Sequence, residues 1–271
     1  MRTLIGIFGC VAGLTLCVSS ANAGILYATQ LNGTNGAIID TDANTVIGTF
    51  TTTSLNQTGI AVGATLRAIP SNTNTPGSEY DLAGNVINTG IYSSAGFNSL
   101  YDGTTDGAYN YAVDHNGNGT QTVFRFDLNW ANPTALFNTQ NRSSGITYDA
   151  NTNTLWTTES LNFGAPNGFV RQYDLAGNMI SEFNKGTFSA YGLAWDGTDD
   201  TLWMSNSANN SLYQYQKDGT FLGSSNFGGQ LFSYAFGLEF QSAVVSEPAA
   251  LGLFGLGLVG LGLAARRRKV A

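Results

Sequence analysis

One polar and apolar pattern recurs along the middle of this chain at an interval of 47 residues, and that recurrence limits the folds open to it. Asp102, Asp149 and Asp196 share the interval, as do Tyr109, Trp156 and Trp203, and as do Asp127 and Asp174. The segments around them, 100–109, 147–156 and 194–203, each read as an apolar β-type run, an Asp-led polar turn and a second β-type run. Asp suits such turns because its carboxylate accepts hydrogen bonds from backbone N–H groups just ahead of it. A second pattern lies between these units. Glu79 to Ile87 matches Gln172 to Ile180 almost residue for residue, and 38–46, 124–128 and 213–219 are weaker copies. It reads as strand, tight glycine-bearing turn, strand.

Together the two patterns give four short strands in about 45 residues, the size of one β-propeller blade. Five third strands fall near Asp40, Asp81, Asp127, Asp174 and Gln216. Five second strands fall at 25–29, 66–69, 108–113, 155–158 and 202–205. First strands lie near Ile60, Leu100, Ile146 and Leu193. The fifth, Gly237 to Phe240, follows the last full unit and has no second strand after it. Placed beside the opening strand of the body, it would complete the first blade and close the ring, leaving neither sheet edge open. The expectation is an all-β fold: one propeller of five four-stranded blades. A sandwich explains neither the fixed interval nor the displaced last strand. The recurring tyrosine and tryptophans, at one strand position, are expected to pack between blades.

Composition agrees. Only 11% of the 271 residues are charged, 12% are aromatic and 34 are Gly. Helical bundles and coiled coils need far more Ala, Glu, Lys and Leu, and disordered chains carry fewer aromatic and β-branched residues. The formal charge of −7 hides a division. Residues 24–246 hold 17 of the 18 acidic residues but only 6 of the 11 basic ones, a net of −11. An acidic body speaks against a nucleic-acid partner, because phosphate binding needs a basic face.

The two ends are made differently. Arg2, an uncharged stretch from Leu4 to Val18, and Ala21-Asn22-Ala23 read as a secretory signal peptide, 1–23, cut between Ala23 and Gly24. Cys10 and Cys17 both fall inside it, so the mature chain would have no disulfide and no thiolate. At the other end, Ser246-Glu247-Pro248 precedes an uncharged, Gly- and Leu-rich stretch, 249–265, and then Arg266, Arg267, Arg268 and Lys269. At 1.5 Å per residue that stretch makes a helix of roughly 25 Å, enough to cross a hydrocarbon core. The basic cluster would stay cytoplasmic, so the body would lie outside. Gly255 to Gly260 also fits G-x-G-x-x-G, but no strand precedes it, which removes a dinucleotide site.

This tail, 244–271, resembles the PEP-CTERM sorting signal of exopolysaccharide-producing Gram-negative bacteria, with Glu247 and Pro248 at the second and third motif positions and Ser246 where the first Pro is usual. The resemblance implies recognition by an exosortase-type membrane protease, transient or permanent anchoring by the transmembrane helix, and delivery to the periplasm, cell envelope or extracellular matrix. Between the ends, 24–243 forms the propeller. Its Gly-Leu-Ala-Trp-Asp…Thr-Leu-Trp pattern is similar to that of secreted NHL-like propellers and implies nothing about substrate.

Few residues suit chemistry. The single histidine, His115, lies in a polar turn and reads as solvated, so a triad and multi-histidine zinc sites are excluded. Asp114, Asn116 and Asn118 stand at alternate positions before Gly119, as in a calcium loop, but Arg125 holds the place of the bidentate glutamate. Asp40-x-Asp42-x-Asn44 and Asp196-x-Thr198-x-Asp200 are similar partial sets. Ordinary Asx turns are the preferred reading of all three, with weak Ca²⁺ binding as the other. Asp102, Asp149 and Asp196, being repeated, are expected to be structural. The non-repeated acids Glu159, Glu182 and Glu239 would be the glycosidase candidates if two of them met at the central channel. The expectation is therefore a non-catalytic binding or structural module without cofactor, directed at exopolysaccharide. A surface glycoside hydrolase or lyase and a calcium-stabilised adhesion module are the alternatives.

Overall fold

The computed structural model describes residues 24–71, 75–93, 96–115, 121–139, 142–159 and 168–241. The signal segment up to Ala23, the segment from 242 to 271, and Asn116 and Asn118 lie outside them.

The described residues form twenty strands in chain order. These are β1 (Ile25–Gln30), β2 (Asn35–Asp40), β3 (Thr45–Thr51), β4 (Gln57–Val62), β5 (Leu66–Pro70), β6 (Pro76–Tyr80), β7 (Val86–Ser93), β8 (Leu100–Thr105), β9 (Asn110–Asp114) and β10 (Gln121–Phe126). The second half holds β11 (Thr134–Thr139), β12 (Ser143–Asp149), β13 (Thr154–Glu159), β14 (Phe169–Asp174), β15 (Met179–Asn184), β16 (Ala190–Asp196), β17 (Thr201–Asn206), β18 (Ser211–Gln216), β19 (Phe221–Ser225) and β20 (Ala235–Phe240). They make five antiparallel four-stranded sheets, ordered from the axis outward β4-β5-β6-β7, β8-β9-β10-β11, β12-β13-β14-β15, β16-β17-β18-β19 and β20-β1-β2-β3. The chain is a five-bladed propeller closed by its last strand: β20 pairs with β1 with Leu26 opposite Phe240 and Ala28 opposite Leu238.

Two ends of the ring follow from this order. Each inner strand turns into the second, and each third into the fourth, at one end, here called the hairpin face. The second-to-third loops and the blade-to-blade connections lie at the other, the connection face. Both Gly24, whose carbonyl accepts the N–H of Thr41 at 2.8 Å, and Gln241, whose N–H reaches the carbonyl of Ile25 at 2.8 Å, are at the hairpin face.

The repeated turns have a common build. Asp81 Oδ1 accepts the N–H groups of Ala83 (3.0 Å) and Asn85 (2.8 Å), and Oδ2 accepts Asn85 Nδ2 (2.8 Å). Asp174 repeats this with Ala176 (2.9 Å) and Asn178 (2.8 and 2.7 Å). Gly84 and Gly177, at φ +86° and +88°, supply the left-handed residue that such a turn needs. Between blades the core is apolar: Trp156, Val170, Leu193, Leu202, Met204 and Tyr215 fill the space between the β12–β15 and β16–β19 sheets. A large apolar side chain buried this way contributes about 1.5–3 kcal/mol.

The inner strands approach each other closely. A Cβ at Gly145 would stand 2.9 Å from the carbonyl oxygen of Tyr191, at Gly192 2.4 Å from that of Phe236, and at Gly237 2.4 Å from that of Thr58. Gly59, Asp102, Gly145, Gly192 and Gly237 mark the true repeat, because Thr104 and Thr147, two positions after Asp102 and Gly145, make the same inter-blade bond to Tyr148 and Trp195. Its length varies, with 43 residues from Asp102 to Gly145 and 47 from Gly145 to Gly192. This corrects part of the sequence reading. Asp102 is not the counterpart of Asp149 and Asp196. The latter two end β12 and β16 and accept turn N–H groups, whereas Asp106 does that for the shorter third-blade hairpin. Asp102 takes the place of the inner-strand glycine in the third blade and sits at the axis. Likewise Tyr109 is partly exposed, with the Arg125 guanidinium 4.3 Å above its ring. Tyr111 is the buried ring there, alongside Trp156 and Trp203, which are buried as expected.

Candidate functional site

The inner strand of each blade has one ladder edge turned to the axis, where its N–H and C=O groups need partners. Asp102 supplies them for three blades at once. Its Oδ2 accepts the N–H of Ile146 (3.1 Å) and of Leu193 (2.8 Å), and its Oδ1 that of Leu238 (3.0 Å). Nearer the hairpin face, Glu239 Oε1 accepts the Thr104 hydroxyl (2.6 Å) and the N–H of Thr105 (3.3 Å). Thr104 in turn accepts the N–H of Tyr148 (3.0 Å), and Thr147 accepts that of Trp195 (2.9 Å). Both carboxyl groups are buried, and burial pushes both pKa values well above the ordinary carboxylate range. The backbone donors on Asp102 and the donors from Thr104, Thr105 and Thr147 on Glu239 oppose that rise, and Glu239 adds to it at Asp102. Glu239, one of the acids that the sequence left open for acid–base work, thus lies near Asp102, which it read as structural, and both are bonded to donors of the inner strands inside the ring.

The axis is closed towards the connection face by aromatic rings. Tyr191 and Phe236, which stand where Tyr101 stands in the third blade, stack at 3.9 Å between centroids and 15° between planes. Tyr101 meets Phe236 edge-on at 5.2 Å and His115 at 5.3 Å. Tyr234 continues the cluster, 6.5 Å from Phe236, and is 45% exposed at a backbone φ of +58°. Amide side chains border it: Gln30 Nε2 donates to the carbonyl of Ser233 (3.1 Å), Asn35 Nδ2 to Gln30 Oε1 (2.6 Å), and Asn56 Oδ1 accepts the N–H of Asn32 (2.5 Å). An exposed ring flanked by amides can stack on one face of a sugar and hydrogen-bond its hydroxyls. Spacing alone did not reveal this cluster, because Tyr101, Tyr191, Tyr234 and Phe236 are gathered only by ring closure.

The other sequence candidates fall elsewhere. His115 is buried rather than solvated, because the strand before it carries it under the Tyr101 ring. Its Nδ1 lies 3.3 Å from the carbonyl of Ser143, and burial lowers its pKa. Glu159 is buried against Arg171, which also bonds Glu182 at 2.9 Å, an arrangement that commits both acids to one guanidinium in the fourth blade. Asp114 Oδ1 accepts the N–H groups of Asn98 (2.8 Å) and Ser99 (3.0 Å), and Oδ2 accepts Asn98 Nδ2 (3.3 Å). Asp40 bonds the N–H of Ala43 (2.8 Å). Asp200 holds Lys217 at 2.5 Å, and that lysine also bridges to Asp149 at 2.8 Å. Among the described residues no three His, Cys, Asp or Glu side chains are grouped as a metal site would need.

Comparison with known proteins bears on both parts of the chain. Residues 244–269 match the model of the PEP-CTERM protein-sorting motif. No curated protein matches the sequence. Among solved structures, a chain of the crystal structure of a nidogen/laminin complex is similar over 79% of this chain and 97% of that one, at 12% identity and a TM-score of 0.53. A protein of unknown function from Bacteroides caccae is similar over 76% and 74%, at 8% identity and a TM-score of 0.46. The first likeness concerns the fold alone. The chain is a five-bladed propeller that shares its fold with a chain of the nidogen/laminin complex and carries a PEP-CTERM motif, which implies exosortase-dependent sorting to the cell surface.

Proposed function

We propose that the propeller is a non-catalytic binding module of the cell envelope or extracellular matrix, with exopolysaccharide as its ligand class and the mouth around Tyr234 as its point of contact. The observation that carries this reading is the fate of the axial acids. A glycosidase needs two carboxyls beside a cleft that admits a sugar. Asp102 and Glu239 are instead buried and bonded to the inner strands. What the connection face offers is a half-exposed tyrosine among amides, which is binding chemistry. The sorting motif supports a surface setting in which polysaccharide is the abundant partner. In this reading Ser246, Glu247 and Pro248 are the segment the protease recognises, 249–265 crosses the membrane, and Arg266 to Lys269 hold its cytoplasmic end.

A glycan array with residues 24–243 and with its Tyr234→Ala variant tests the proposal. Binding to an acidic or neutral polysaccharide that falls at least tenfold in the variant is expected. Absence of binding across the array, the host's own polymer included, overturns it. Release of reducing ends from a bound polymer would install a hydrolase in its place.

A further inference from the structure

The same geometry fixes which way the tethered protein stands. This inference rests on the reading of 249–265 as a membrane span. β20 is an inner strand, so the chain leaves the ring close to its axis, and it leaves at the hairpin face. Only residues 242–248 lie between Gln241 and the apolar stretch. Fully extended, seven residues reach about 25 Å at most. Passing from the axis to the rim means crossing four strands about 4.8 Å apart, and climbing the rim means another ~20 Å for a six-residue strand, so the connection face is more than ~35 Å away along the surface. The tether is too short to turn the ring over.

We infer that, while the tail is in the bilayer, the hairpin face is held towards the membrane and the connection face, with Tyr234, points away from it. The partner of the hairpin face is thus the lipid surface, held opposite it by the tether and not by adhesion. Asp40 and Asp174 end third strands there, Asp81 and Asp127 directly follow two others, and Asp218 lies in the last such turn, and anionic headgroups repel such a face. Ser246-Glu247-Pro248 then falls between the hairpin face and the bilayer, on the side where a membrane protease works.

The absence of cysteine from 24–271 makes the test direct. Single cysteines are introduced into residues 24–271, the chain left by the cut before Gly24, as Ala43→Cys or Ala176→Cys on the hairpin face, and Ala208→Cys or Leu55→Cys on the connection face. All four positions are exposed. Each is labelled with a donor dye, and the protein is reconstituted into phosphatidylethanolamine–phosphatidylglycerol vesicles that carry a headgroup acceptor. Transfer roughly twofold or more stronger from positions 43 and 176 than from 208 and 55 is expected, given the ~20 Å between faces. The difference should vanish when thirty Gly and Ser residues are inserted after Val245. Equal or reversed transfer from vesicle-bound protein overturns the orientation alone. Failure of the protein to float with the vesicles overturns the membrane reading, and the orientation with it.

Discussion

Asp102 Oδ1 accepts the backbone N–H of Leu238 at 3.0 Å and so ties the inner strand of the third blade to the strand that closes the first, 136 positions later. The same side chain holds Ile146 and Leu193 through its other oxygen. One carboxyl group therefore satisfies the axial edges of three blades, and its removal leaves three buried donors without an acceptor. Each such group costs about 1–3 kcal/mol. Asp102→Ala should lower the unfolding free energy by about 3 kcal/mol or more. Asp102→Asn, which keeps one acceptor and sets an NH₂ against N–H donors, should lose somewhat less. Urea unfolding followed by tryptophan fluorescence gives both values, and a loss below ~1 kcal/mol for Asp102→Ala would refute the bracing role.

Glu239 gives the molecule a pH signature. Its folded pKa lies above the ordinary carboxylate range because of burial, as does that of Asp102. The folded state therefore holds more protons than the unfolded one between the unfolded value, near ~4, and the folded values. Stability from this site is full below that range and declines as the pH rises through it. Glu239→Gln keeps the acceptor for Thr104 and Thr105 and carries no charge. Its melting temperature should fall less between pH 5 and 8 than that of the parent, and should equal or exceed it at pH 8. The turn carboxylates Asp81 and Asp174, whose pKa values are lowered by bonds to Asn85 and Asn178, work the other way below the ordinary range and should be unaffected by the substitution.

At the repeated turns, Gly177→Ala is the damaging change. The backbone there is left-handed, and the new Cβ would stand 2.4 Å from Phe137 Cβ of the neighbouring blade. A loss of about 1–3 kcal/mol is expected, together with a disturbed Phe137–Tyr173 contact, now 5.3 Å between centroids. Differential scanning calorimetry should rank Gly177→Ala well below Asp174→Ala, because the latter removes only turn bonds exposed to water.

Chelation discriminates the calcium reading from the turn reading. Both oxygens of Asp114 already accept hydrogen bonds from Asn98 and Ser99. The melting midpoint of residues 24–243 should be unchanged by EDTA and by millimolar calcium. A rise on adding calcium would make Asp114 a ligand and shift the function towards calcium-stabilised adhesion.

The fold was legible because its signals are local. Asp81 and Asp174 lead turns that any reader of Asp-Leu-Ala-Gly-Asn can place, and the lone strand at 237–240 has no use except closure. The axis was not legible, for a geometric reason. Asp102-Gly103 and Asp196-Gly197 look alike in sequence, but the first glycine lies where inner strands nearly touch and the second lies in a turn. A hairpin two residues shorter in the third blade separates them, and with them Tyr109 from Trp156. Glu239 could be picked as non-repeated, yet its partner could not, since Thr104 meets it only once 135 positions have been wound into a ring. His115 misled because Asn and Gly around it suggest water, whereas the Tyr101 ring covers it.

The pairing of β20 with β1 has a mechanical side. The sorting motif begins only four positions after Phe240, so any force transmitted from an anchored tail enters the ring through its closing strand. If the opposing load acts at the connection face, that strand is drawn along its own length. Its bonds to β1 and the bond from Leu238 to Asp102 are then loaded in parallel, in shear, and must yield together. A load between Gln241 and Gly24, which leave the ring side by side, would instead unzip the same pair one bond at a time. The fold thus resists tension across its thickness and yields to tension between its ends.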